Sequence, residues 1–483
     1  MDNKISKRTK LSYCVGATGR DAAYTLVSMF VLTYVQYTMK LTVTQFFVIS
    51  SAMVICMIWD AVNDLMMSTI IENSHLKSGK YRPFIIAGAI LNAIVIILMF
   101  TVRPTGWGFV IFFCISYLLW GMSYTINDIA YWGMLPSLTS DPDERDGLVT
   151  LMGIFVCIGQ FSVAGIVPIV IAGNAVNAFR VTALITALAF VLFQTLTYLG
   201  VTENERKDNA DQVSLKKMVT ILKRNDQLIA IGIAYILFCV GQQLLLLLGV
   251  NFFYFEFGYS GSGDLITIFT VMYGLGTLTA QFVYPVLTKK MSRMKLALTC
   301  LMILIVCYLL FLLLGYILPM NLILLNSIGF VIFFSQGLLN LTIIVMVNNT
   351  IEYDEWRFGE RHDSIISAIR SFASKLSGAL NQGAASLILI VSGIYAVSQG
   401  ISELEVQIGN GSIGREEALK LADGYTSGVL PSQTLTLRLG MVLVPLIVIT
   451  LAYLMIRFRY RIDEKEYDRM VREIEQRKRG EAG

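Results

Sequence analysis

Charge is scarce in this chain. Of its 483 residues only 15% are Asp, Glu, Lys or Arg, where a soluble domain carries about 25%. Histidine is rarer still: His75 and His362 are the only two, and both fall between apolar stretches. No Ser-His pair, zinc spacing or nucleotide motif therefore reaches an apolar stretch, and an enzyme embedded in a membrane is not expected. The seven cysteines (Cys14, Cys56, Cys114, Cys157, Cys239, Cys300 and Cys307) lie in or beside apolar stretches with neither metal nor disulfide spacing. They are expected as small core or lipid-facing residues. No repeated pore-loop motif suggests a channel. "MDNKISKRTK" is charged, and the first apolar run is too long and interrupted for a cleavable signal peptide. Neither a resident cofactor nor a nucleic-acid partner is expected.

Apolar sequence, by contrast, is abundant, with 55% of residues hydrophobic. About 20 such residues span a bilayer core. Roughly twelve runs approach or exceed that length, near 20–39, 44–71, 83–102, 108–135, 147–173, 179–200, 227–257, 262–287, 296–316, 320–350, 364–399 and 434–456. They lack the alternation of barrel strands, so they read as helices in a lipid bilayer. Basic residues cluster at Lys4, Lys7, Arg8 and Lys10, at Lys77, Lys80 and Arg82, at Arg206, Lys207, Lys216, Lys217, Lys223 and Arg224, and at Lys289, Lys290, Arg293 and Lys295. These follow even-numbered runs or precede the first, which puts both termini in the cytoplasm. The charged connection 201–226 divides the runs six and six. The expected organisation is an N-terminal half at 1–200, a cytoplasmic linker at 201–226, a C-terminal half at 227–458 and a cytoplasmic tail at 459–483. The second extended connection, 400–430, is expected outside, with a short helix over Glu416 to Ala422 and a turn at "GNGSIG". The tail mixes both charge signs at helical spacing and reads as a solvated helix.

A few charges stand where they should not. Arg20, Asp21, Asp60, Asp64, Asp128 and Lys375 lie inside apolar runs, and Glu256 and Arg370 lie close to that condition. Each costs about 2.5–3.5 kcal/mol at a helix centre, so it must face a partner or a wet cavity. Asp60 and Asp64 share one helix face, about 6 Å apart along the axis, and Asn63 extends it. Hard oxygen ligands suit a small hard cation. Two close carboxylates also suit a proton, because both cannot stay ionised cheaply. In "WGMSYTINDIAYWGMLPSL", Tyr124, Asp128 and Trp132 are spaced four apart on one stripe, and Thr125 lies beside Asp128. A carboxylate can accept hydrogen bonds from adjacent sugar hydroxyls while an indole covers an apolar sugar face.

Several segments together resemble one family. "GATGRDAA", "IWDAVNDLMMSTII" with "KSGKYRPFIIAG", "YLLWGMSYTINDIAYWGMLP", "LKRNDQL" and "NNTIEYDEWRFGERHDSIISAIRSFASKLSGAL" are similar, in order and over nearly the whole chain, to the glycoside-pentoside-hexuronide:cation symporters. This is the melibiose permease group of the major facilitator superfamily. The resemblance implies an all-α membrane protein with the major facilitator fold, twelve transmembrane helices in two pseudo-symmetric six-helix halves. It implies uptake of a sugar or glycoside coupled to Na+, Li+ or H+ across the cell membrane. Asp60, Asn63, Asp64 and Thr125 match the cation site, with Asp60 and Asp64 as the direct ligands. Asp21 and Asp128 match the carboxylates that hold sugar hydroxyls, Trp132 the stacking residue, Arg20 the base beside the first-helix Asp, and Lys375 the helix-eleven lysine near the cation site. The expected substrate-binding set is Arg20, Asp21, Tyr124, Asp128, Trp132, Arg370 and Lys375.

The sequence departs from the family pattern at four places. Gly153 stands where a sugar-binding arginine is expected, Leu65 where proline often follows the second Asp, Met57 where a basic residue is found, and Asn349 where an acidic one is common. The loss at Gly153 argues against simply assigning melibiose. Arg370 is an extra cation, about 140° around the helix from Lys375. It is expected either to pair with Glu352 or Asp363 or to reach a uronate on the substrate. A rival cargo on the same fold is a lysolipid or another organic solute.

Overall fold

A computed structural model describes residues 5–481 apart from 75, 77, 140 and 204–214. His75, Lys77, Arg206 and Lys207, used above in reading the loops, lie outside the described residues, as do the side chains of Leu65, Lys216, Lys217 and Asp363. The described chain is helical: α1 (Lys7–Thr38), α2 (Val43–Glu72), α3 (Arg82–Thr101), α4 (Gly106–Leu138), α5 (Pro142–Ile171), α6 (Ala175–Gly200), α7 (Leu215–Arg224), α8 (Asp226–Phe257), α9 (Ser262–Thr288), α10 (Arg293–Leu313), α11 (Leu322–Phe358), α12 (Asp363–Val391), α13 (Ile394–Gly409), α14 (Arg415–Ser427), α15 (Pro431–Arg459) and α16 (Glu464–Glu481).

Local chemistry sets several ends. The Ser6 hydroxyl accepts from Thr9 N–H at 3.0 Å and opens α1. Thr42 and Gln45 form a reciprocal capping box at the start of α2. Gly359 closes α11 in the left-handed conformation, φ 75°. Among the described residues, ten helices are long and apolar enough to cross a membrane. The bent pair α12–α13 makes an eleventh if counted as one span. The remaining long helix is α1, of 32 residues, whose Arg20, Asp21 and hydroxyl residues lower its apolarity. The expected single run at 364–399 is corrected: the chain breaks after Val391 and turns through 90° into α13. Gly393, at φ 74°, supplies a left-handed turn that another residue would resist. Helix then continues to Gly409, into the stretch read as a loop, and the expected short helix beyond it is α14.

The chain divides into two compact units. The first takes its described residues from Met1–Ala210, Gly249–Thr267 and Ala385–Thr434. In it α1 packs on α5, α6 and α13, α3 packs on α4 and α6, and α2 packs on α4. Small residues and buried amides make these approaches close, as between helices in lipid. A Cβ on Gly88 would meet the backbone nitrogen of Asn127 at 2.5 Å, so glycine is what lets α3 lie against α4. Across that seam Asn127 Nδ2 donates to Ile85 O at 2.7 Å and Asn92 Nδ2 to Trp120 O at 2.9 Å. Gln194 Nε2 donates to Gly16 O at 2.9 Å and Thr197 Oγ1 to Ser12 O at 2.8 Å, tying α6 to α1. Glu405 of α13 is buried. Its carboxylate accepts from Gly173 N–H at 2.7 Å, Ala175 N–H at 2.6 Å and the Tyr259 hydroxyl at 2.7 Å.

The second unit takes its described residues from Asp211–Leu248, Ile268–Ala384 and Leu435–Gly483. In it α10 packs on α11 and α11 on α16. The tail is not solvated on every face. Met470 is fully buried, Trp356 Nε1 donates to Glu473 at 2.6 Å, and Lys478 pairs with Glu355 at 2.6 Å. His362 hydrogen-bonds Asp354 at 2.8 Å, with Arg224 Nη2 at 3.0 Å from the same carboxylate oxygen.

Candidate functional site

The intramembrane charges of α1, α2 and α4 gather in the first unit as two acid pairs. The first pair is joined by Arg20, whose side chain is 3% exposed. Its Nη2 and Nε donate to Asp21 Oδ2 at 2.7 and 3.0 Å. Its Nη1 stands 3.3 Å from Asp128 Oδ1, at ion-pair distance but outside hydrogen-bond geometry. The guanidinium lies over the rings of Tyr131, at 4.7 Å, and Trp132, at 5.2 Å. Tyr131 is in turn fixed by stacking on Tyr13 at 4.4 Å, and each hydroxyl donates to the other residue's carbonyl oxygen. A permanent charge with five donors is thus held rigidly, and both carboxylates keep an open side, 19% for Asp21 and 26% for Asp128. Trp132 is exposed beside them, while Tyr124, one turn along α4, is buried.

A hydroxyl joins the second pair. Thr125 is fully buried on α4, and its Oγ1 lies 2.8 Å from Asp60 Oδ1 and 3.0 Å from Asp64 Oδ1. One hydroxyl carries one proton, so it donates to one carboxylate at a time and presents lone pairs to the other. Asn63 is buried on the same stretch of α2, and its Nδ2 has no hydrogen-bond partner among the described residues. Gly121, one turn before Thr125, leaves room here: a Cβ would meet Asp60 Oδ1 at 3.3 Å. Two carboxylates, a hydroxyl and a nearby amide are hard oxygen donors, able to hold a small monovalent cation or a proton. The helical spacing that placed Asp60 and Asp64 on one face is realised, because both reach the same atom of α4.

The pattern of the MFS/sugar transport protein family matches residues 12–464. The chain belongs to that family. Among MFS/sugar transport relatives it is 27% identical, over 407 residues, to the raffinose carrier protein of Pediococcus pentosaceus, covering 80% of this chain and 62% of that one. It thus spans less than two thirds of that carrier's length. It is 24% identical to a glucuronide carrier protein homolog of Escherichia coli, covering 99% of this chain and 98% of that one. The helical arrangement is similar to the solved bacterial homologue of the human lysosomal transporter Spinster, with TM-score 0.65 at 12% identity, covering 94% of this chain and 98% of that chain. The fold is that of the major facilitator superfamily.

Lys375 and Arg370 lie on α12, in the second unit. Of the two partners considered for Arg370, Glu352 pairs with Arg361 at 3.5 Å. A Cβ at Gly153 would meet nothing within 4 Å among the described residues, so a side chain could start there without a clash at its first atom. Two features escaped the sequence reading. The Tyr13–Tyr131 pair behind Arg20 has no spacing signature, because it joins helices 118 residues apart. Tyr24 was legible: it lies three residues after Asp21, on the same face.

Proposed function

We propose that this protein is a secondary active transporter carrying a glycoside or related sugar in symport with Na+, Li+ or H+ by alternating access. One observation carries the reading. Thr125 and Asp128, three residues apart on α4, belong to different acid pairs. The Asp60–Asp64–Thr125 group, with Asn63 beside it, suits the cation. The Asp21–Asp128 pair, joined by Arg20 and flanked by Trp132, with Tyr124 one turn along α4, suits sugar hydroxyls and a sugar face. A cation drawing Asp60 and Asp64 onto Thr125 orders the turn of α4 that carries Asp128, and a bound sugar orders the same turn. Each ligand then raises the affinity for the other.

In this reading the halves 1–200 and 227–458, joined by 201–226 and followed by the tail at 459–483, rock about the site in the cytoplasmic membrane with both termini inside. The reading also gives Lys375 a part in the cation-dependent steps. Arg370 reads an acidic group on the substrate in place of the arginine missing at Gly153. The test is uptake into membrane vesicles of a panel of α- and β-glycosides, pentosides and uronides under imposed Na+, Li+ or proton gradients. Accumulation that follows one cation gradient is expected, and accumulation indifferent to all three would contradict symport. Uronides should outcompete neutral sugars, and Arg370→Gln should erase that preference. Equal affinity for both classes would remove the role given to Arg370.

A further inference from the structure

Helix α13 lies between two glycines in the left-handed region, Gly393 at φ 74° and Gly411 at φ 71°. It is turned by 90° from α12 and runs into the stretch expected outside. The chain enters α13 from α12, yet α13 belongs to the first unit, together with Gly249–Thr267 at the end of α8 and the start of α9. Polar side chains hold it there. The Gln399 amide accepts from Leu41 N–H at 2.9 Å and donates to Gln36 O at 3.2 Å. The Tyr395 hydroxyl donates to Leu41 O at 3.1 Å, and its ring stacks on Phe46 with centroids 3.9 Å apart. Glu405 accepts from Gly173 and Ala175 in the α5–α6 connection and from Tyr259, just beyond the end of α8. Beside them Gln36 of α1 and Asn251 of α8, both buried, exchange amide hydrogen bonds at 2.6 and 3.2 Å. Most partners of α13 are backbone groups at helix ends, which water can satisfy once the helix leaves. The α3–α4 seam differs, because it rests on backbone packed against Gly88.

We propose that α13 is the external gate of the transporter: a hinged bar that rests on α1, α2 and the α5–α6 connection when the outside is closed, and lifts off with the end of α8 to admit sugar. This rests on the reading of the chain as an alternating-access transporter. α8 is one unbroken helix from Asp226 to Phe257. When the halves rock, its end leaves α1 and the Gln36–Asn251 bonds break. Tyr259 follows that end and carries α13 with it through Glu405. Glu405 is the latch: it exchanges the N–H groups of Gly173 and Ala175 for water and keeps Tyr259. The glycines on either side of α13 take up the change in direction. Lys40 and Glu403, paired at 3.0 Å with 69% and 48% exposure, mark the outer edge where the bar meets α1.

The experiment locks the bar. In the full chain, Lys40→Cys and Glu403→Cys together are joined by a bis-maleimide that carries a reducible disulfide and is long enough to replace both side chains. Uptake into right-side-out membrane vesicles, measured with the glycoside that wild type accumulates most, should be lost on cross-linking and return on reduction. Each single variant treated with the same reagent should keep its uptake. Sugar binding to the cross-linked protein in detergent should persist, because the opposite side still opens and Asp21, Asp128 and Trp132 are untouched. A second measurement needs no cross-link. Ser402 is buried on α13 and its hydroxyl has no partner among the described residues, so Ser402→Cys is a mild change. A membrane-impermeant maleimide added outside should label this thiol above the wild-type background in transporting vesicles. If the double variant loses uptake before it is cross-linked, this labelling decides. Cation-driven uptake that survives complete cross-linking, or a Ser402→Cys thiol that stays protected throughout transport, overturns the gate alone. Wild-type uptake that follows no cation gradient removes the transport reading, and the gate with it.

Discussion

The two acid pairs of the first unit differ in what joins them. Asp21 and Asp128 share a guanidinium, which is permanently charged and wedged over Tyr131 and Trp132. Asp60 and Asp64 share the Thr125 hydroxyl, which is neutral and has one proton for two acceptors. The first pair is stabilised as it stands and can spend its open sides on neutral hydroxyls. The second gains most when a positive charge arrives. A third carboxylate sharpens the contrast: Glu405 is buried with two backbone N–H groups and the Tyr259 hydroxyl on it, and has no open side for a ligand. Burial of an acid is therefore not the mark of a site. The proposed sites rest instead on open carboxylates and on the group that bridges them.

Substitutions can break this comparison. The largest effect is expected from Asp128→Asn. It keeps shape but removes a charged acceptor, and sugar affinity should fall at least about 100-fold. Isothermal titration would detect it, and a change within about twofold would contradict the assignment. Arg20→Gln should act on stability as well as binding, since it leaves two acids without their shared cation. The cost is expected near 2 kcal/mol, below the 3–5 of a fully buried pair, because Asp21 and Asp128 retain 19% and 26% exposure. Thermal unfolding in detergent reads it directly. Thr125→Val is close to isosteric and takes only the bridging hydroxyl. Cation affinity should drop about tenfold, with sugar affinity at saturating cation unchanged, which a cation titration of sugar binding resolves.

The smallest effect belongs to an acid outside the membrane-spanning segments. Glu144 accepts from Lys10, and also from Ile5 N–H and Thr139, which holds it below the ordinary carboxylate value of 4.5. A carboxylate depressed on folding stabilises fully above its unfolded value, and that contribution is lost as pH falls through the folded one. Glu144→Gln should therefore flatten slightly the acid side of the unfolding-temperature profile and leave sugar binding alone. An identical acid slope in both proteins would remove this role.

Much of this was legible in the sequence for physical reasons. A carboxylate in an apolar run is expensive, so Asp60, Asp64 and Asp128 marked themselves, and four-residue spacing put the first two on one face. Thr125 was reached only through the family resemblance, which matched it to the site on α2. What stayed hidden depends on contacts between distant segments. Arg20 reads as a base beside Asp21, and nothing in the sequence says that it reaches α4 as well. The break at Gly393 was masked by apolar residues on both sides, so α12 and α13 read as one run. Glu405 lay in a stretch that looked like a loop, and only the fold brings the start of α6 and Tyr259 onto it. The charged tail seemed solvated because its few apolar residues stand among many charges, yet Met470 is fully buried and Ile474 is buried as well on α16, which packs on α11.

The central claim is that the hydroxyl-bridged pair senses the cation and passes it through α4 to the arginine-bridged pair. The direct measurement is sugar affinity with and without saturating Na+ or Li+, and across pH, in wild type, Asp60→Cys and Asp64→Cys. The account expects the cation to strengthen sugar binding in wild type. In both variants that stimulation should vanish while a residual, cation-independent sugar affinity remains, because Asp21, Asp128 and Trp132 are untouched. Asn63 substitutions should shift the choice among cations more than overall affinity. Full cation stimulation in Asp60→Cys would mean that the pair is structural and that the coupling runs elsewhere.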